Sequence, residues 1–399
     1  MKTCIYPMTN TIQFYPWGSK NSIPELLGID ADGRPYAELW MGDHQRGPSM
    51  VRPAGGKEPI ELGKLLGNDP VWFLGEQSVR RFGPELPFLF KVLAAAEPLS
   101  IQAHPDKRQA EEGFEREQAA GIPLDAPHRN YRDRNHKPEI IAALTPFTAM
   151  CGFRPRQEIL ERFSEIGGSV AENILLPLLE LPEEEKALSS FFAALLGLEK
   201  SEKSSFMESL QEWERRRRDS ETDTGLVRRF MELHPDDPAV SAPLYLNVVR
   251  LAPGEALYQP AGLLHAYVEG TGIELMANSD NVLRGGLTGK HMDLGELKSV
   301  LSFSSSEPDM IRSEPDGNGL EQYFTPAREF ELKRFSGGRG RLPGGVPAVI
   351  LVTSGTLGIN CANEVKVCGK GGSVFIPAAC AVDLSGEGEA YIACLPAGK

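Results

Sequence analysis

Gln102 and His104 stand two apart in SIQAHP, Lys137 and Glu139 two apart in NHKPE, and His265 closes PAGLLH. Alternate residues of a strand face the same side, so each pair can converge on one point. Gln102, His104, Glu139 and His265 then offer an amide oxygen, a carboxylate and two imidazoles. Such a mixed set suits zinc, with one position left for water or substrate; cobalt, manganese or iron fit the same donors. Gln102 is neutral and Glu139 the only anionic ligand, so the site keeps net positive charge and draws electron-rich oxygens. The same parity sets Lys137 beside the ion, an odd neighbour for a metal that only holds a fold. A cation's field favours the neutral amine, which makes Lys137 a candidate acid or base; the competing reading is a simple ion pair with Glu139.

Elements from distant parts of the chain must bring these residues together. At 399 residues the chain exceeds the size of one growing core, so two or three domains are expected. The 41 Gly and 31 Pro favour short strands joined by turns. Residues 1–155 carry apolar runs such as PFLFKVL and EIIAAL between breakers, the texture of a sandwich or barrel. Over 156–239 the texture changes to apolar residues spaced three and four apart, which predicts a helical domain, with LHPDDP stopping its last helix. Strand texture returns over 240–320, so the metal-bearing domain is expected to be discontinuous, 1–155 with 240–320, interrupted by helices. Residues 321–399 read as a second β domain without metal. A weak internal echo supports that: Gly254, Pro260, Ala261 and His265 recur in spacing as Gly371, Pro377, Ala378 and Val382.

The formal net charge of −13 argues against nucleic acid or an anionic membrane as partner. An anionic small substrate needs a local basic cluster, for which Lys91, Lys107, Lys137 and Arg284 are candidates. No signal peptide is read at the N-terminus, and the longest apolar stretch, 191–198, is too short to span a bilayer. The six cysteines, without a CxxC pair, read as reduced thiols of a cytoplasmic protein.

The chain resembles the type I phosphomannose isomerases. The likeness rests on IQFYPWG at 12–18, ELWMGDH at 38–44, KVLAAAEPLSIQAHPDK at 91–107, YRDRNHKPEI at 131–140 and FTAMCGFRP at 147–155. It continues in QPAGLLHAY at 259–267 and ELMANSDNVLRGGLTGKH at 274–291. The resemblance implies a mainly β fold, with two cupin-like jelly-roll domains and an inserted helical domain. It implies one zinc per chain on Gln102, His104, Glu139 and His265, catalytic positions at Lys137, Glu274 and Arg284, and interconversion of mannose 6-phosphate and fructose 6-phosphate. A monomer is expected.

Moving a proton between C1 and C2 through an enediol requires a base, a stabiliser for the developing oxyanion and an anchor for the phosphate. A hairpin turning at 269–272 would pair Tyr267 with Glu274 and put both on the face of His265. Arg284 stays protonated and can grip phosphate or steady the enediolate, unless it is spent on Asp280. Asp280 could instead orient Arg284, and Lys91, Ser100 and Lys107 are further substrate-side candidates. His136 should face away from Lys137. The basic run at 215–218 reads as a solvated helix face, His44, His128, His234 and His291 as structural or exposed, and Trp17 and Trp40 as core. Two other readings remain, a cupin oxygenase using iron and a sugar-phosphate sensor without turnover; Gln102 as a fourth ligand and the Lys137, Glu274 and Arg284 set weigh against them.

Overall fold

A computed structural model describes residues 2–53, 58–217, 223–362 and 364–396. The apolar run FLFKVLAA forms the strand Phe88–Ala95, buried throughout. Its period of two divides the run between two environments. Phe88, Phe90, Val92 and Ala94 enter one apolar core, whereas Leu89, Lys91 and Leu93 face a cavity on the other side. This strand lies in an 11-stranded network that also contains Glu38–Met41, Ile101–Ala103, Glu139–Ala143, Phe147–Phe153, Glu255–Gln259 and Leu283–Gly286.

The long strand His265–Ala277 joins the halves of that network. Its first residues pair with Ile101–Ala103 and Phe147–Phe153, and its last with Phe88–Ala95 and Glu139–Ala143. The hairpin expected at 269–272 is therefore absent: Glu274 is opposite Lys91 and Ile141, and Tyr267 is opposite Ala149. The GTG sequence bends the strand instead of reversing it. The register slips between Tyr267 and Glu269, and Gly270 takes φ 119° where a Cβ would lie 2.7 Å from the Pro146 carbonyl oxygen. This irregularity lets one strand serve two sheets.

Between the Phe147–Phe153 and Leu246–Leu251 strands lie the helices Arg156–Ser164, Ser169–Glu180, Glu184–Leu196, Lys200–Arg217 and Asp223–Leu233. Phe163, Phe191, Phe206 and Trp213 from these helices form one continuous core with Ile101, Met150 and Leu283 of the strands and with Leu264, just before His265. The helices thus brace the strands that carry Gln102, His265 and Arg284. At the end of Lys200–Arg217, Arg216 and Arg217 pair with Glu212 and Glu165; Arg218, the last of the basic run, lies outside the described residues.

The C-terminal strands form a 4-stranded sheet and, with Tyr6–Thr9, Met50–Val51 and Ile60–Glu61, a 9-stranded one around a third core of Ile350, Leu357, Ile359, Val374, Val382 and Leu384. The N-terminal strand Tyr6–Thr9, expected with the first block, hydrogen-bonds to Ser373–Ile376 of this region. Among the described residues no helix is long and apolar enough to cross a membrane.

Candidate metal centre and active site

Strand register places the proposed ligands in two rows. His265 is opposite Gln102, and Gln102 is opposite Arg284, so three neighbouring strands point these side chains to one face. Glu139 begins the strand Glu139–Ala143, opposite Gln259 on one side and Met276 on the other. His104 follows directly on Ile101–Ala103.

Donor atoms of His104, Glu139 and His265 lie within 4.8 Å of one another, and all three residues are buried. The His104 Nδ1–H donates to the Asn281 carbonyl oxygen at 2.6 Å, and the His265 Nδ1–H to that of Leu263 at 2.9 Å. Those bonds leave a lone pair on each Nε2, facing Glu139 Oε1 at 3.4 Å and Oε2 at 3.3 Å. None of the four atoms has a hydrogen-bond partner. Buried acceptors facing one another repel unless a cation lies between them, so the donor set fits a metal ion. Burial first, and then the Lys137 charge, push the His104 imidazole down to about 4, which keeps it neutral as a ligand must be. Burial raises the Glu139 carboxyl, but its neighbours, the Lys137 charge first, leave it well below its ordinary value.

These residues adjoin a cavity of about 490 Å³. Gln102, Lys137, Glu274, Arg284, Lys91, Ser100 and Asp280 line it. Lys137 Nζ lies 2.8 Å from Glu139 Oε1 as an ion pair, without hydrogen-bond alignment. Across the cavity Lys91 donates to Glu274 Oε2 at 2.8 Å and lies 3.9 Å from Glu38 Oε1. Trp40 Nε1–H donates to Glu38 Oε2 at 2.6 Å. Burial alone would lower the Lys91 pKa, yet Glu274 and Glu38 hold it above its ordinary value. Glu274 is pushed up by burial, which Lys91 only partly offsets.

Two further cations, Arg284 and Lys290, line the cavity. Arg284 and Lys290 have no paired carboxylate among the described residues. Burial lowers both, and the charge of Arg132 on Arg284, and of Arg284 on Lys290, lowers them further. Asp280 does not orient Arg284; its carboxylate lies 3.6 Å from His44 and 3.4 Å from Arg46. Leu287, between the two cations, has φ 52°, an unusual conformation for a branched side chain. Its N–H donates to Asp237 Oδ2 at 2.7 Å, so a residue just beyond the helix Asp223–Leu233 pins the segment that runs from the strand carrying Arg284 to Lys290.

The family profile for the type I phosphomannose isomerase catalytic domain matches residues 5–156. The mannose-6-phosphate isomerase of Escherichia coli (strain K12) is 43% identical over 318 residues, covering 79% of this chain and 80% of that protein. This chain belongs to the type I phosphomannose isomerases. Another member, mannose-6-phosphate isomerase 1 of Arabidopsis thaliana, is 33% identical over 397 residues, covering 92% of this chain and 88% of its own. Among solved structures, zinc-bound mannose 6-phosphate isomerase superposes with a TM-score of 0.91 at 37% identity, covering 98% of this chain and all of that one.

Some expectations for this phosphomannose isomerase chain need correction. Lys107 lies outside the cavity, half-exposed at the start of the helix Lys107–Ala119, where it donates to the Arg134 carbonyl oxygen at 2.7 Å. Helix formation carries it away from the strand that holds Gln102. Trp17 and His234, read as core and surface, line the cavity; Trp40 is buried with Leu89 and Met276 as expected and also borders the cavity. His44 is buried against Trp40 and Asp280. His136 does turn away from the metal cluster, with Nε2 3.0 Å from Glu329 Oε1. Glu38, Arg46 and Lys290 escaped attention although each lies in or beside a quoted motif, because none has ligand spacing to another candidate. Gln259 is a further omission: it is fully buried opposite Glu139, and neither atom of its amide has a partner.

Proposed function

We propose that this chain interconverts D-mannose 6-phosphate and D-fructose 6-phosphate, with one zinc ion per chain held by Gln102, His104, Glu139 and His265. The observation that carries this reading is the buried convergence of imidazole and carboxylate atoms without hydrogen-bond partners beside a cavity that Arg284 and Lys290 also line. When bound, zinc supplies Lewis acidity toward the oxygens at the reacting end of the sugar.

Arg284 and Lys290 receive the phosphate, since their charges are uncompensated and Arg284 can offer two parallel donors. Binding there directs C1 and C2 toward Lys137 and Glu274. We assign the carbon proton to Glu274, whose raised pKa suits a base that must also return its proton. Lys91 fixes the orientation of that carboxylate through the 2.8 Å bond. Lys137, closer to the ligand set, handles the proton passing between the two oxygens. Ser100 and Asp280 are placed for sugar hydroxyls, while Trp17, Trp40 and Tyr267 restrict water. The oxygenase reading offers no use for the Lys91–Glu274 pair or for Arg284 and Lys290.

For the architecture we propose a discontinuous catalytic cupin-like domain of 1–155 and 240–320, a helical domain of 156–239 and a metal-free cupin-like domain of 321–399. Tyr6–Thr9, and through it Met50–Val51 and Ile60–Glu61, extend a sheet of the last of these. We further propose a monomer, and a cytoplasmic location supported by six unpaired cysteines.

The first test is fructose 6-phosphate formation from mannose 6-phosphate by purified protein, before and after chelation and zinc restoration. Chelator-sensitive turnover restored by zinc is expected. Stoichiometric zinc without turnover would refute isomerisation and leave a sugar-phosphate sensor.

A further inference from the structure

The C-terminal strands contain a second group of donors, which sugar isomerisation leaves unused. Cys4 precedes the strand Tyr6–Thr9, Cys361 ends Thr356–Cys361, and Cys380 occupies the turn between Ser373–Ile376 and Val382–Gly386. Their three sulfurs nevertheless lie within 4.8 Å of one another. Cys361 and Cys380 are buried, and Cys4 is partly so.

The backbone around them is well anchored. Glu364, three residues beyond Cys361, accepts from Thr3 Oγ1 at 2.5 and 2.6 Å and from the Cys4 N–H at 2.8 Å. The Cys380 N–H closes its turn onto the Pro377 carbonyl oxygen at 3.0 Å, and the Ala378 N–H donates to the Phe73 carbonyl oxygen at 2.8 Å.

We propose that Cys4, Cys361 and Cys380 form a three-thiolate site for a thiophilic metal cation, separate from the His104, Glu139 and His265 centre. Thiolates select zinc, copper(I) or cadmium over hard cations. With Zn–S bonds of about 2.3 Å, sulfurs sharing one tetrahedral ion are about 3.8 Å apart, so side-chain adjustments of about 1 Å complete the site. A disulfide is the poorer use of this cluster, because a 2.0 Å bond joins only two of three sulfurs and leaves the third buried. Burial pushes the Cys361 thiol up to about 11 and raises Cys380 as well, so without a cation these thiols are neutral and weakly nucleophilic. An entering cation displaces a proton from each thiol to solvent. Glu364 is already occupied by Thr3 and Cys4, so a fourth ligand comes from the solvent side of Cys4. Such an ion ties residue 4 to residues 361 and 380, closing almost the whole chain into a loop and stabilising the C-terminal sheets.

The test is cadmium titration of the zinc-loaded enzyme under reducing conditions. One equivalent should bind with an ultraviolet thiolate-to-cadmium absorption, release protons and raise Tm. Cys361→Ser and Cys380→Ser should each abolish that absorption with kcat/KM unchanged, and Cys4→Ser, at the more accessible end, should weaken binding at least tenfold. Cys368→Ser, a buried cysteine outside the cluster, should keep it. No absorption in the parent enzyme, or absorption that survives all three cluster variants, would overturn the site. So would a disulfide linking Cys4 to Cys361 or Cys380, found by mass spectrometry of the untreated protein.

Discussion

Two segments of this chain follow one path with opposite contents. Each begins at a glycine of positive φ, Gly254 at 88° and Gly371 at 81°. Each runs through a strand, Glu255–Gln259 or Ser373–Ile376, turns at Pro-Ala and re-enters a strand at His265 or Val382. Behind the first, strands bury His104, Glu139, Lys91 and Glu274; behind the second they bury Ile350, Leu357, Ile359 and Leu384. Similar backbone paths thus support either a polar interior that needs a cation or an apolar one that needs none. Burying charge costs stability unless each charge is matched. The first segment accepts that cost for chemistry, and the second supplies packing.

The largest effect expected from this contrast is at Glu139. Glu139→Ala should lose bound zinc and at least about a hundredfold in turnover together, because it removes the anionic ligand between two imidazoles. Metal analysis beside the isomerase assay checks this, and full activity without zinc would end the metal mechanism.

The apolar counterpart should fail differently. Leu357 is fully buried, so Leu357→Ala should cost about 2 to 5 kcal/mol of stability. Denaturant unfolding measures that loss, and the folded variant should keep its zinc and its kcat. A lower kcat at full folding would show that the two regions are coupled.

Arg284→Ala separates binding from metal within the first region. Zinc content should hold while turnover drops at least about tenfold, the usual size of one electrostatic contribution. Solvent exchange at the substrate carbon then divides the two proton carriers: it should vanish in Glu274→Gln and persist in Lys137→Met. Exchange that persists in Glu274→Gln would transfer the carbon base to Lys137.

The smallest effect is a slope with pH. Asp43, in the loop after Glu38–Met41, is pushed up to about 6, chiefly by burial. A folded pKa above the unfolded value of 3.8 means that the folded state favours the protonated carboxyl. Its stabilisation is present below 3.8 and is lost as pH rises to about 6. Asp43→Asn should therefore gain stability relative to the parent across that window. Parallel denaturation curves at both pH values would show that Asp43 is not desolvated.

Parity was the readable part of the site. Gln102 and His104, with Lys137 and Glu139, are close in sequence, so strand geometry alone predicts that each pair shares a direction. The helical stretch after residue 155 was also legible, since its three- and four-residue spacing is a local property. Glu274 shows where such reasoning stops. It does reach the cavity, but along a bent continuous strand, because a GTG sequence is compatible with either a turn or a bulge. Neighbouring strands that pair on both sides settle the choice. Glu38, His234 and Lys290 carried no local signal, since their partners are distant in sequence. Lys107 misled for the opposite reason, being close to the motif yet carried off by a helix.

By itself the sequence determined the donor types, their pairing by parity and the alternation of strand-rich and helix-rich blocks, because each depends on neighbours within a few residues. Only the tertiary structure decided that Tyr6–Thr9 joins the C-terminal sheet, that Lys91 pairs with Glu274, and that Cys4 meets Cys361 and Cys380. Those outcomes depend on which strands become neighbours, and that is settled by burial of the whole chain rather than by any local stretch of it.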